Sequence, residues 1–292
     1  MSTGTGTGQD AGADGATVAV TGATGAVGGR VARLLADAGV RQRLLVRDPA
    51  RAPRLPGAST ATASFEDGEA VRRALAGVEA VLMVSAAEHP DRLAQHRTFV
   101  DAAAAAGVEH LVYTSFQGAA PDAVFTLARD HWATEEHVRA SGTRHTFLRD
   151  SFYAEALVAM VGDDGVLRGP AGDGRVAAVS QDDVAAAAAA VLRDPAPHAG
   201  ATYDVTGPQA LTLTEVAQAV AAATGREVTY RDETPEEARA SRAPYGAPDW
   251  LVDAWVSTYT AVAAGEVARV STAVADLTGR APRSLAEVLS AG

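Results

Sequence analysis

The 292-residue chain contains neither cysteine nor lysine, and each absence removes a class of chemistry. Without cysteine there is no disulfide, no thiolate nucleophile and no Cys-based metal site, and a reducing, cytoplasmic setting is expected. Without lysine, all 25 basic residues are arginine, so no side chain can serve as an amine base, a Schiff-base former or a lysine proton relay. Long apolar runs are missing too. The most apolar segment, Val184–Leu192, is bounded by Asp182, Asp183, Arg193 and Asp194 and falls well short of the ~20 residues that a membrane span needs, so it reads as a buried helix. Met1–Gly15 has no basic start and no apolar stretch; neither a secretory signal nor an anchor is expected there, and residues 1–15 read as a disordered tail. Positive charge is in deficit as well. The net charge of −11 repels a phosphate backbone, and nucleic acid is not expected as a partner.

From Thr17 onward, short apolar runs alternate with longer helical ones: Thr17–Thr21, Ala26–Ala38, Leu44–Val46, Glu69–Leu75, Ala80–Ser85, Leu93–Ala106 and His110–Ser115. Gly39, Gly77 and Gly107 follow helical runs where a left-handed terminal residue is wanted. A helix over Leu127–Ser141 ends at Gly142, and Thr143–Arg149 reads as a sixth strand. Strands separated by helices imply a parallel sheet covered on both faces. After Ser151 the chain changes character, with Gly/Asp/Pro-rich loops at Gly162–Gly174, helices at Gln181–Arg193 and Leu213–Thr224, and a helical stretch from Pro248. Residues 16–150 are expected to form the first domain and residues 151–292 a substrate-binding lobe interleaved with it.

The strongest signal is Thr21-Gly22-Ala23-Thr24-Gly25-Ala26-Val27-Gly28, placed between the first strand and the first helix. Gly22 allows a tight turn, Gly25 lets the backbone approach a pyrophosphate, and Gly28 permits close helix–sheet packing, while free amides at the helix start face the anion. The fold class expected is therefore α/β, a Rossmann-type doubly wound parallel sheet with helices on both faces and a smaller C-terminal substrate lobe. At the end of the second strand an acidic residue would accept from a ribose hydroxyl, whereas arginine pairs with a 2′-phosphate. Arg47 stands there and Arg51 lies one helical turn on, which favours NADP(H). The alternative leaves both arginines solvated and puts Asp48 on the ribose.

The segments TGATGAVG, LLVRDPARA, Gln95–Gly107 leading into HLVYTSFQG, and SGTRHTFLRDSFYAE together resemble the atypical short-chain dehydrogenase/reductase group that contains NmrA-like proteins and the type 2 NAD(P)H:quinone oxidoreductases. The likeness runs from Val18 to about Arg283. It implies that Gly22, Ala23, Thr24, Gly25, Ala26 and Val27 surround the pyrophosphate, that Arg47 meets the adenosine phosphate, and that Ser85 and Thr114 run along the nicotinamide ribose. The wider superfamily pairs a tyrosine with a lysine four residues later, and this sequence has no such pair. Aligned on the helix that leads to Ser141-Gly142, His131 falls near the place where related reductases put their active-site lysine.

An imidazole at that place could donate to the oxygen that becomes negative during hydride transfer. His131 also shares a helical face with Leu127, Thr134 or Glu135, and Val138, which suits a satisfied histidine under the sheet. Ser115 and Tyr113 sit at the carboxyl end of a central strand, where open α/β sheets bind ligands, and stand as further catalytic candidates. Phe152 and Tyr153 are candidates for the substrate wall. In relatives the position of Asp150 tends to be asparagine, so a carboxylate there departs from the pattern. The pair Asp182 and Asp183 reads as a helix N-cap with a dipole partner. The histidines lack metal-site spacing, and no metal is expected. The reading that follows is an NADPH-dependent reductase of a small-molecule quinone or aromatic ketone, with a homo-oligomer compatible. The alternative is a non-catalytic NADP(H)-binding redox sensor of the NmrA type, and the missing dyad argues against an epimerase or dehydratase.

Overall fold

A computed structural model describes residues 18–291, so the tail expected at 1–15 lies outside the described residues. In chain order the strands are β1 (Val18–Thr21), β2 (Gln42–Val46), β3 (Ala58–Thr62), β4 (Ala80–Met83), β5 (His110–Phe116), β6 (Arg144–Asp150), β7 (Val166–Gly169), β8 (Arg175–Val176), β9 (Thr202–Val205), β10 (Leu211–Thr212) and β11 (Thr229–Asp232). The helices are α1 (Ala26–Asp37), α2 (Gly68–Ala74), α3 (Arg92–Ala105), α4 (Thr126–Ala140), α5 (Ala154–Ala159), α6 (Gln181–Arg193), α7 (Leu213–Thr224), α8 (Pro235–Arg242), α9 (Asp249–Ala263), α10 (Ala273–Thr278) and α11 (Leu285–Ala291).

Seven strands form one sheet in the order β3-β2-β1-β4-β5-β6-β9, every pair parallel. This is the Rossmann-type doubly wound arrangement. Its central strands β1, β4 and β5 are buried along their whole length, as a parallel sheet covered on both faces requires. Alternate residues serve opposite faces. Val18, Val20, Leu82 and Val112 meet α1 and α6 on one side, while Ala19, Val81, Leu111 and Tyr113 meet α2, α3 and α4 on the other.

The edges β3 and β9 are the strands that the sequence pattern does not mark. β3 reads Ala-Ser-Thr-Ala-Thr and is largely exposed, and in β9 Val205 alone is buried, so neither carries an apolar alternation. The alanine-rich segment is α6, whose small side chains let it lie close against α1 beneath the sheet. Its cap differs from the sequence reading: Ser180 Oγ accepts from Asp183 N at 3.0 Å, and Asp182 and Asp183 occupy the first turn, where the helix dipole favours them. Beyond Asp150 the chain alternates between two tasks. α6, β9 and α10 complete the main sheet, while β7 with β11, β8 with β10, and α5, α7, α9 and α11 build a second core around Leu157, Leu167, Leu213 and Tyr259. Among the described residues no helix is long and apolar enough to cross a membrane.

Candidate functional site

The glycine turn is built by backbone alone. Gly22 leaves β1 with φ 64°, and Gly25 N donates back to Gly22 O at 2.8 Å, closing the turn before α1. Gly25 caps α1 in an extended conformation and has no side chain to satisfy the first-turn amides, which are left for a ligand. Gly22, Thr24, Gly25 and Ala26 are exposed, while Ala23, Val27 and Gly28 are buried beneath them. A Cβ at Gly28 would stand 2.4 Å from Gly22 O and 2.5 Å from Thr21 O, so no other residue fits without moving the turn. The cradle thus has the shape and donors that a dinucleotide pyrophosphate needs. Arg47, just past β2, and Arg51 are exposed and form no ion pair among the described residues. Asp48 Oδ1 instead accepts from Ala50 N at 3.0 Å, capping the short turn Pro49–Arg51. Two guanidinium groups therefore remain open to a phosphate.

Two hydroxyls stitch the strand ends beside this turn. Thr21 Oγ1 accepts from Val84 N at 2.8 Å, and Thr114 Oγ1 accepts from Ser85 N at 2.9 Å. They fix the chain leaving β4, and Ser85 forms part of the wall of a cleft of about 700 Å³ at the carboxyl ends of β4, β5 and β6. Phe116, Phe125 and Phe152 form its floor, with ring centroids 4.8 to 5.2 Å apart. Tyr245 and Trp255 flank it from the short turn after α8 and from α9 with their rings edge to face, and Tyr245 is 74% exposed.

His131 lies on the cleft wall, but both of its ring nitrogens are taken. Arg92 Nη2 donates to Nε2 at 2.9 Å, and Nδ1 lies 2.9 Å from Tyr113 Oη. A guanidinium only donates, so Nε2 is the acceptor and the ring proton is on Nδ1, directed at Tyr113. Burial first, and then the charge of Arg92, hold the His131 pKa well below the usual histidine value. The imidazole has no N–H left for a substrate oxygen, which departs from the donor role expected of it. Tyr113 is fully buried behind His131, and burial raises its phenol. Ser115 is also fully buried: its Oγ donates to Glu135 Oε1 at 2.6 Å, and Glu135 is held by Arg149 at 2.8 and 2.6 Å. Neither residue reaches the cleft, where the sequence reading allowed each a chemical role.

Two groups that the sequence reading did not place in the chemistry stand on the wall instead. Arg92, 3% exposed, is aimed by Ala86 O (2.9 Å from Nε) and by His131. Nothing local marks it, because its partners come from a loop after β4 and from α4. Asp150, at the end of β6, accepts from Tyr153 Oη at 2.6 Å, and burial pushes its carboxyl up to about 7. The phenol of Tyr153 is raised well above its ordinary value by burial and by that carboxylate. Phe152 and Tyr153, both expected on the substrate wall, line the cleft. Among the described residues no group of His, Asp and Glu is gathered that could hold a metal ion.

The model of the NmrA-like family matches residues 14–246. An NAD(P)H azoreductase of Xenophilus azovorans is 35% identical over 279 residues, covering 94% of this chain and 97% of the relative. Quinone oxidoreductase 2 of Escherichia coli (strain K12) is 35% identical over 280 residues, with 94% and 97% covered. The crystal structure of the NADPH-dependent quinone oxidoreductase QOR2 from Escherichia coli, complexed with NADPH, matches with a TM-score of 0.86 at 34% identity, covering 94% of this chain and 99% of that one.

Proposed function

The chain belongs to the NmrA-like family, and on that premise we propose that it is an NADPH-dependent reductase transferring hydride to a quinone or a flat aromatic ketone. One observation carries the reading: the glycine turn and the aromatic-floored cleft share the strand ends at Val84 and Ser85, which Thr21 and Thr114 hold in place. A dinucleotide seated on the turn would present its far end to the cleft. Relatives that span nearly the whole chain are reductases of quinones and azo compounds.

Bound NADPH supplies the hydride, and this chain's residues do the rest. The turn takes the pyrophosphate, and Arg47 with Arg51 takes the adenosine phosphate. The phenylalanine floor excludes water and accepts a flat ring system. Arg92, held by the neutral acceptor nitrogen of His131 and facing Asp130 at 3.5 Å, sets a fixed guanidinium where the acceptor oxygen becomes negative, which makes His131 a positioning residue. Quinones suit such a site because the reduced oxygen is a phenolate and asks little of a general acid.

The reading is checked by loss of NADPH absorbance with quinones, azo compounds and aromatic ketones, beside an NADH control and the Arg47→Ala variant. Turnover that prefers NADPH, with the preference reduced roughly 10- to 100-fold in the variant, is expected for a charge-assisted phosphate contact. Tight NADPH binding without consumption of any acceptor would replace this reading with that of a redox sensor.

A further inference from the structure

We infer that Asp150 is the proton donor of the cleft, held in place by Tyr153, and that it extends the acceptor range from quinones to conjugated or aromatic ketones, whose reduced oxygen must be protonated. The inference deepens the reductase reading and rests on it.

Geometry comes first. Asp150 is 5% exposed yet lines the cleft, at the end of the strand beside β5. Tyr153 lies one turn on at the start of α5, and its hydroxyl fixes one carboxyl oxygen at 2.6 Å. Ser151, the next residue and also on the cleft wall, has a buried Oγ with no hydrogen-bond partner among the described residues. The groups facing the carboxyl are Tyr153 from the start of α5, Arg92 from α3, and Tyr113 from β5 with His131 of α4 against it; Glu155 stands behind Tyr153. Tyr153 and Tyr113 are both raised phenols, His131 has no free N–H, and Arg92 does not release its proton. The carboxyl, raised to about 7, is the group on this wall poised to give a proton near neutral pH.

The step balances within the cleft. NADPH, bound as in the proposed function, would supply the hydride and be oxidised to NADP+; as the C–H bond forms at the carbonyl carbon, the π pair moves onto oxygen. The Asp150 O–H bond breaks, its proton passes to that oxygen, and an alcohol results. The carboxylate left behind keeps the Tyr153 hydrogen bond, and once the alcohol has left, solvent reaching the emptied cleft restores the proton. A quinone takes the same hydride, but its product oxygen is stabilised without immediate protonation.

The experiment compares wild type, Asp150→Asn and Tyr153→Phe with one benzoquinone and one aryl ketone, as kcat against pH on both sides of about 7. Wild-type ketone turnover is expected to fall as pH rises through that value, since the acid form is the active one. Asp150→Asn should lose about 10²-fold in ketone kcat and the pH limb with it, while quinone kcat changes less than about tenfold and NADPH affinity stays constant. Tyr153→Phe removes a donor that favours the carboxylate, so its ketone limb should move to higher pH, a shift that a purely structural role would not produce. Ketone turnover in Asp150→Asn that keeps the wild-type rate and limb overturns the inference. So does a wild type that reduces the quinone and no ketone. A wild type inactive with both acceptors overturns the reductase reading instead.

Discussion

The glycine turn and the aromatic-floored cleft adjoin at Val84 and Ser85, yet they are made in opposite ways. In the turn, the groups open to an anion are backbone, within the seven consecutive residues Gly22 to Gly28, and the sequence specifies it by what it leaves off. In the cleft, the polar side chains come from β6, α3, α4 and the residue before α5; Arg92 and His131 hold each other across 39 residues, while Asp150 and Tyr153 pair within three. A backbone site is rigid and hard to adjust, whereas a side-chain site can change its chemistry at one position. The sharpest way to break the first is Gly28→Ala. Its Cβ meets two backbone oxygens at 2.4 and 2.5 Å, neither of which can yield without opening the turn or lifting α1 off the sheet. NADPH affinity by fluorescence titration should fall by more than about 100-fold, and the melting temperature should drop with it. Unchanged affinity would mean that the turn is not the cofactor seat.

The cleft should break in a different measure. Arg92→Gln removes the fixed charge while keeping a donor, and it leaves His131 Nε2 with a weaker partner. An effect on kcat of about 10²-fold is expected for ketones and quinones alike, with NADPH affinity held within about threefold. That pattern separates Arg92 from Asp150, whose substitution should spare quinones. Equal losses in kcat and NADPH affinity would place Arg92 in the cofactor seat and dissolve the contrast between the two regions.

The same contrast explains what could be read before the structure. The turn and the parallel sheet are local patterns, and they are legible; of Arg47 and Arg51 the structure shows that both are exposed. The apolar pattern marks β2 only over Leu44–Val46, because its first residues are polar. Gln42 and Arg43 are buried all the same, through Gln42 Nε2 on Ala32 O at 2.7 Å and Arg43 Nη1 on Ala74 O at 2.7 Å, contacts that no periodicity displays. His131 was legible as a residue near the cleft. Its role turns on which group holds Nε2, and Arg92 lies 39 residues away. Ser115 and Tyr113 drew attention as polar groups at a strand end, but side chains on that face of β5 point toward α3 and α4. Asp150 was visible as a departure from its relatives, while its acidity is a property of burial, and burial is tertiary.

The pH dependence of stability sharpens the comparison further. The turn has no titratable group, whereas His96 and His131 stand behind the cleft and His110 at the far end of β5. All three are held neutral in the fold, chiefly by burial: His96 is pushed down to about 3, His110 to about 4, and His131 well below its ordinary value. In the unfolded chain each binds a proton near its ordinary value of 6.5. A lowered histidine therefore contributes stability that is full above that value and is lost as pH falls, by up to about 1.4 kcal/mol per pH unit for each group. Asp150 works the other way. Raised from 3.8 to about 7, it contributes stability that is full below the lower value and lost as pH rises through the upper one. Three histidines outweigh one carboxyl, so urea midpoints should fall steadily as pH drops from about 6.5 toward about 4. His96→Gln should flatten that slope by one proton, and Asp150→Asn should steepen it by one. A slope unchanged by both would mean that the groups behind the acceptor cleft are not held in the protonation states on which its chemistry depends.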